Sequence, residues 1–151
     1  MPEPLIFLSP LHKATRQIGT YLSSRMVELE LAGSEGHVLA YLGSYAPVPI
    51  SELSSVFGHR KSTLTSLLDR LEERGLIRRD VHPEDRRSFV VSLTPRGRKL
   101  ATRVRAVTEE FEARVRDGVT AKDLEGFRRV MDSIANVTQV ELKPTRQEKS
   151  A

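Results

Sequence analysis

The apolar residues of this chain recur at helical spacing almost throughout, and change to alternation in one place, where Phe89, Val91 and Leu93 alternate with Val90 and Ser92. Side chains three or four positions apart share one face of an α-helix, whereas alternation marks a strand with one face buried. Leu11, Ala14, Ile18, Tyr21, Leu22, Met26 and Leu29 predict a first helix, opened by a Ser9–Pro10 cap and ending at Gly33. Ser34 is the expected cap of a second helix carrying Val38, Leu39, Tyr41 and Leu42, which stops before Pro47. Val48 to Ile50 reads as a short extended piece. Ser51 and Glu52 open a third helix with Leu53, Val56 and Phe57 on its buried side, closed by Gly58. Leu64, Leu67, Leu68 and Leu71 predict a fourth helix over 61–74, ended by Gly75. Ile77–Val81 and Phe89–Leu93 then read as two strands of a hairpin around a polar turn. Thr94–Pro95 starts a fifth helix with Leu100, Val104, Val107, Phe111 and Val115, broken at Gly118. Thr120 and Asp123 form a capping-box pattern ahead of a sixth, with Leu124, Phe127, Met131, Ile134 and Val137.

The order α, α, short β, α, α, β-hairpin, α, α predicts a mainly α fold with a small β component, an α+β winged helix. Residues 34–93 are the expected winged helix-turn-helix. Residues 1–33 and 94–142 are the expected helical dimerisation region, and 143–151 a polar tail. The outer helices are long and amphipathic, and their apolar stripes need a surface that one small domain does not offer. A second copy related by a two-fold axis is the expected partner.

Charge is unevenly placed. The chain of 151 residues has 24 Lys and Arg against 20 Asp and Glu, a net +4. Residues 59–105 alone carry 13 basic and 6 acidic side chains, a local +7 between flanks of −2 and −1. A basic middle between acidic arms is the pattern of a polyanion-binding face. With no cysteine, disulfides, thiolate zinc sites, iron–sulfur clusters and cysteine redox sensing are excluded. The four His fall in different predicted elements without paired ligand spacing, so no metal and no cofactor is expected. No Ser/His/Asp set or glycine-rich phosphate loop is present, which argues against an enzyme. The short apolar run Leu5–Leu8 lacks a preceding basic region and no stretch is long and apolar enough to span a bilayer, so a cytoplasmic protein without membrane attachment is expected.

In a helix-turn-helix the second helix enters the major groove and reads base edges near its N-terminus. Here that is the fourth helix, whose outer positions are Arg60, Lys61, Ser62, Thr63, Thr65, Ser66, Asp69 and Arg70. Arg and Lys reach guanine acceptors and phosphates, and short hydroxyls serve bases or backbone. The hairpin tip carries Asp85, Arg86 and Arg87, and an arginine there suits the narrow minor groove. A carboxylate of Glu84 or Asp85 is expected to pair with a neighbouring arginine and fix the loop. Arg78 and Arg79 read equally as contacts to flanking phosphate or as exposed strand residues.

Leu71-Glu72-Glu73-Arg74-Gly75-Leu76-Ile77-Arg78-Arg79, then His82-Pro83-Glu84-Asp85-Arg86-Arg87, then Val91-Ser92-Leu93-Thr94-Pro95-Arg96-Gly97 together resemble the multiple-antibiotic-resistance regulator (MarR) family over about residues 10–140. The resemblance implies a homodimeric transcriptional regulator, usually a repressor, on pseudo-palindromic double-stranded DNA. It implies that Asp85 braces the wing and Arg87 is its minor-groove residue. It further implies a small aromatic acid or phenolic effector between the dimerisation helices and the winged domain. His12, Arg16, His37 and Tyr41, near Tyr21 and Tyr45, are the residues suited to hold one; they serve as readily as interface or core-rim groups. The sequence departs from the family at the start of the second helix, where Thr with Gln three residues on is replaced by Ala32 and Glu35. The alternative function is a winged-helix module that joins proteins without reading an operator.

Overall fold

The computed structural model describes residues 3–140. Six helices and three short strands follow in the order α1 (Leu8–Val27), α2 (Gly33–Tyr45), β1 (Val48–Pro49), α3 (Ile50–Phe57), α4 (Lys61–Glu73), β2 (Ile77–Val81), β3 (Phe89–Leu93), α5 (Pro95–Asp117) and α6 (Ala121–Thr138). The strands make one antiparallel sheet in the order β1-β3-β2, with Val48 opposite Val91 and Ile77 opposite Leu93. The chain is thus mainly α with a winged helix-turn-helix at its centre, as expected. The polar tail expected at 143–151 lies outside the described residues.

Three helix starts differ from expectation. Leu8 opens α1 behind Phe7, which makes no side-chain cap, so Ser9 is helical. Pro10 is tolerated because first-turn N–H groups have no intrahelical acceptor to lose. The same helix ends at Val27 rather than Gly33: the N–H groups of Leu29, Glu30 and Leu31 turn back onto the carbonyls of Met26 and Val27. That turn drops Leu31 into the core. Ser34 does not cap α2. Ala32 is the N-cap, and its N–H donates to the Glu35 carboxylate at 2.9 Å. Alanine has no side-chain oxygen to return the bond, so half a capping box is made. Nor does Ser51 open α3, which begins at Ile50 behind an extended Pro49.

The core gathers one face of each central element: Val38, Leu39 and Leu42 of α2, Leu53 of α3, four leucines of α4, and Val91 and Leu93 of β3. It runs past both boundaries read from the sequence, since Met26 and Leu31 on one side and Ala101 and Val104 of α5 on the other belong to the same cluster. By contrast, α6 buries no residue fully. Its cap is nonetheless made as expected: Thr120 N–H donates to Asp123 at 2.8 Å, and the Asp123 N–H to the Thr120 hydroxyl. The Thr120 hydroxyl and N–H hold the Asp123 carboxyl below its usual range. This contribution is present above the ordinary aspartate pKa and is lost as the carboxyl protonates on acidification.

The junction of α4, β2 and α5 is the tightest place in the fold. Gly75 ends α4 in the left-handed region at φ 67°, as only glycine does without strain. Thr94 Oγ1 donates to the Gly75 carbonyl at 2.7 Å and accepts the Gly97 N–H at 3.0 Å. A Cβ on Gly97 would lie inside the van der Waals sphere of the Leu76 carbonyl oxygen. Gly97→Ala is therefore expected to cost at least about 1–3 kcal/mol by denaturant unfolding. Gly118→Ala, at φ −90° with its nearest neighbour at 3.5 Å, should stay within about 0.5 kcal/mol of the parent.

Candidate nucleic-acid interface

The α3–α4 turn is set by Gly58 at φ 60° and an extended Arg60, which is the α4 N-cap. Leu64, Leu67, Leu68 and Leu71 fasten α4 to the core at spacings of three and four. The same period leaves Lys61, Ser62, Thr63, Thr65 and Ser66 outward, and all are exposed together with Arg60. Thr65 Oγ1 donates back to the Lys61 carbonyl at 2.8 Å. Arg60 makes no side-chain cap, so the first-turn N–H groups of α4 face outward beside two cations.

Further along α4, the charged side chains are spent on the fold. Arg70 Nε donates to Glu35 at 3.1 Å and Arg74 reaches the same carboxylate at 3.5 Å. Arg70, expected among the outward-reading cations, is thus tied to α2. On the other flank, Arg79 of β2 bonds Asp69 at 2.7 Å and makes two side-chain bonds to Glu72, which also accepts the Arg79 N–H at 3.2 Å. The Glu72 bond, with Asp69 behind it, raises the Arg79 pKa above its already high value. Neither sequence reading of Arg79 holds: it is a half-buried clamp between α4 and β2. Arg78 pairs with Asp80 at 3.1 Å.

The wing is the β2–β3 hairpin with its tip at 82–88. His82 N–H donates to the Ser88 carbonyl, and Ser88 N–H to that of Asp85, both at 2.9 Å. Asp85 Oδ1 accepts the Arg87 N–H at 3.0 Å. Asp85 therefore fixes the turn through the main chain and not, as expected, through an arginine side chain. This leaves the Arg86 and Arg87 side chains exposed and outside every ion pair among the described residues.

The four residues suited to an effector do not converge. His12 and Arg16 lie with Tyr21 along a groove of about 800 Å³ on α1. His37 and Tyr41 line a separate cavity of about 460 Å³ between α2, α3 and α5, with Tyr45, Phe57, Arg105 and Glu109. Tyr41 donates to Glu52 at 2.7 Å and its ring meets those of Tyr45 and Phe57. Arg105, which the sequence reading passed over, bonds Glu109 at 2.6 Å and Ser44 at 3.2 Å. Its outward place on an amphipathic helix gave no signal of a cavity. Among the described residues, no three His, Asp or Glu side chains group closely enough to hold a metal ion, and no helix is long and apolar enough to cross a membrane.

A recognition helix seated on a leucine face and followed by a braced two-stranded wing defines a winged helix-turn-helix protein. Residues 32–89 match the MarR family model. The chain is 35% identical over 77 residues to the HTH-type transcriptional regulator YfiV of Bacillus subtilis (strain 168), a match covering 51% of this chain and 48% of that protein. It thus spans about half the length of the curated relative it matches. Among solved structures, it is similar to the MepR–DNA complex of Staphylococcus aureus, with a TM-score of 0.80 and 18% identity over 89% of this chain and 99% of the other. It is also similar to a MarR-family transcriptional regulator from Rhodococcus sp. RHA1, with a TM-score of 0.70 and 25% identity over 83% and 90% of the two chains.

The Arg79 clamp carries a direct prediction. Arg79→Ala leaves Asp69 and Glu72 facing one another without a counter-charge and should cost about 1–2 kcal/mol, allowing for solvent screening of partly exposed carboxylates. Arg79→Lys should recover little of it in thermal or denaturant unfolding, because an ammonium lacks the planar fork that spans both carboxylates.

Proposed function

We propose that this chain is a MarR-family transcriptional regulator that binds double-stranded DNA as a homodimer on a pseudo-palindromic operator, most simply as a repressor. The observation that carries the reading is how the cations between residues 60 and 87 are divided. Arg70, Arg74, Arg78 and Arg79 each sit in an ion pair, whereas Arg60, Lys61, Arg86 and Arg87 sit in none among the described residues. Those four lie at the first turn of α4 and the tip of the wing, the two places that meet the major and minor grooves in a winged helix. Ser62, Thr63, Thr65 and Ser66 supply short hydroxyls between them for base and backbone contacts. On this reading the chain acts by binding DNA in the cytoplasm and not by catalysis.

The homodimer is supported by the outer helices. Phe127 is 57% and Val137 82% exposed on α6, and Leu5, Ile6, Phe7 and Leu8 are exposed at the start of α1. Burial of these exposed apolar side chains against a second copy would remove them from water. In such a dimer residues 1–33 and 94–142 would make the interface around the 34–93 winged domain. A small aromatic or phenolic effector is proposed for the α2–α3–α5 cavity, held by His37 and Tyr41; His12 and Arg16 face the other groove. The exposed Val81–Phe89 pair on the wing favours the second reading, a protein-joining module.

Titration of the chain on duplex DNA from its upstream intergenic region decides between the two. DNA binding should weaken steeply with salt, by about 0.9 in log–log slope per phosphate contact. Arg87→Ala should lose about 1–3 kcal/mol of affinity. Binding that ignores salt, sequence and Arg87 would leave the protein-joining reading. Sedimentation at micromolar concentration should give a species of twice the chain mass; a folded species of single chain mass would remove the homodimer. Small aromatic acids and phenols should raise the melting temperature if the cavity takes one, since a ligand that binds only the folded state stabilises it.

A further inference from the structure

We infer that Glu35 is a positioning residue for the recognition helix: its buried carboxylate holds Arg70 and Arg74 away from the DNA and leaves phosphate contact to the first turn of α4. Glu35 is 5% exposed and is the buried charged residue of the described chain. A carboxylate withdrawn from water is costly unless its oxygens are fully engaged. Here Oε1 accepts Arg70 Nε at 3.1 Å, and Oε2 accepts the Ala32 N–H at 2.9 Å and faces Arg74 at 3.5 Å. Its place in the first turn of α2 adds the favourable end of that helix's dipole.

The geometry does two things at once. Arg70 and Arg74 stand one turn apart on α4, so a single anchor on α2 resists both rotation and tilt of α4. The pairing also takes two guanidinium groups out of the set that can displace counterions from DNA. Arg70 keeps 52% of its side chain exposed, so it lies at the surface and would be counted as a DNA cation on exposure alone. What removes it is the bond to Glu35. The part of this inference that concerns counterions rests on the proposed DNA-binding function; the bond and the helix positioning do not.

The test uses the full chain and a mixed-sequence DNA duplex. Arg70→Ala should leave the salt slope of duplex binding unchanged, while Lys61→Ala should lower it by about 1. Glu35→Gln keeps an oxygen for the Ala32 N–H but gives up the charge, so it should steepen the slope by about 1–2 as the two arginines are released. A slope that falls with Arg70→Ala, or that Glu35→Gln does not move, would overturn the inference. The second measurement needs no DNA: the Arg70 Nε–H signal in NMR should exchange slowly with water in the parent and at least several-fold faster in Glu35→Gln. Fast exchange in the parent would overturn the bond itself. If the parent fails to bind the duplex at all, the DNA reading falls, and the Arg70 exchange rate still decides whether Glu35 holds the helix.

Discussion

Everything at the interface depends on how the four leucines of α4 enter the core. Leu64, Leu67, Leu68 and Leu71 are each essentially fully buried. Burial of a leucine side chain is worth about 1.5–3 kcal/mol, against at most about 1 kcal/mol for an exposed ion pair. The leucines therefore decide which way α4 is rotated, and with 3.6 residues per turn they turn Ser62, Thr65 and Ser66 away from the core. The charged groups act on what remains. Glu35 holds one flank of α4 to α2, and Arg79 holds the other to β2. Burial supplies the energy, and the two ionic anchors supply the angle.

The wing and the far end of α4 are joined through the same region. Arg79 lies opposite Val91 in the sheet register, and Thr94, at the end of β3, bonds the Gly75 turn that ends α4. A shift of α4 relative to the core would be felt in β2, and so in the direction of the hairpin that carries Arg86 and Arg87. Asp85 adds a local constraint by closing the tip through the Arg87 N–H.

Much of the fold could be read from periodicity. The strands read at 77–81 and 89–93 became β2 and β3 with the bounds expected, and the Thr94 and Thr120 caps are made by the atoms that capping requires. Those features are local: the residues that define them lie within four positions of one another. What could not be read was tertiary. Glu35 and Arg70 are 35 positions apart, and a helical period says which side of α4 Arg70 occupies but not which side chain waits there. Arg79 was open for the same reason. His12 and Arg16 were grouped with His37 and Tyr41 by chemical type, yet they stand on α1 and α2 in different hollows. The missed starts of α2 and α3 share a further cause, since the buried Glu35 in one and Pro49 in the other took the place of a hydroxyl cap.

The carboxylates among the arginines have a consequence for a protein that must find one site in a genome. Each Lys or Arg left unpaired adds affinity for any duplex whatever its sequence, and the competing sites in a genome number on the order of 10⁶–10⁹. Glu35, Asp69, Glu72 and Asp80 neutralise arginines inside the very segment whose positive charge would draw a regulator to DNA. In a regulator these acidic residues would set how long the protein lingers on the wrong sequence, and so how much of it is left over to occupy the right one.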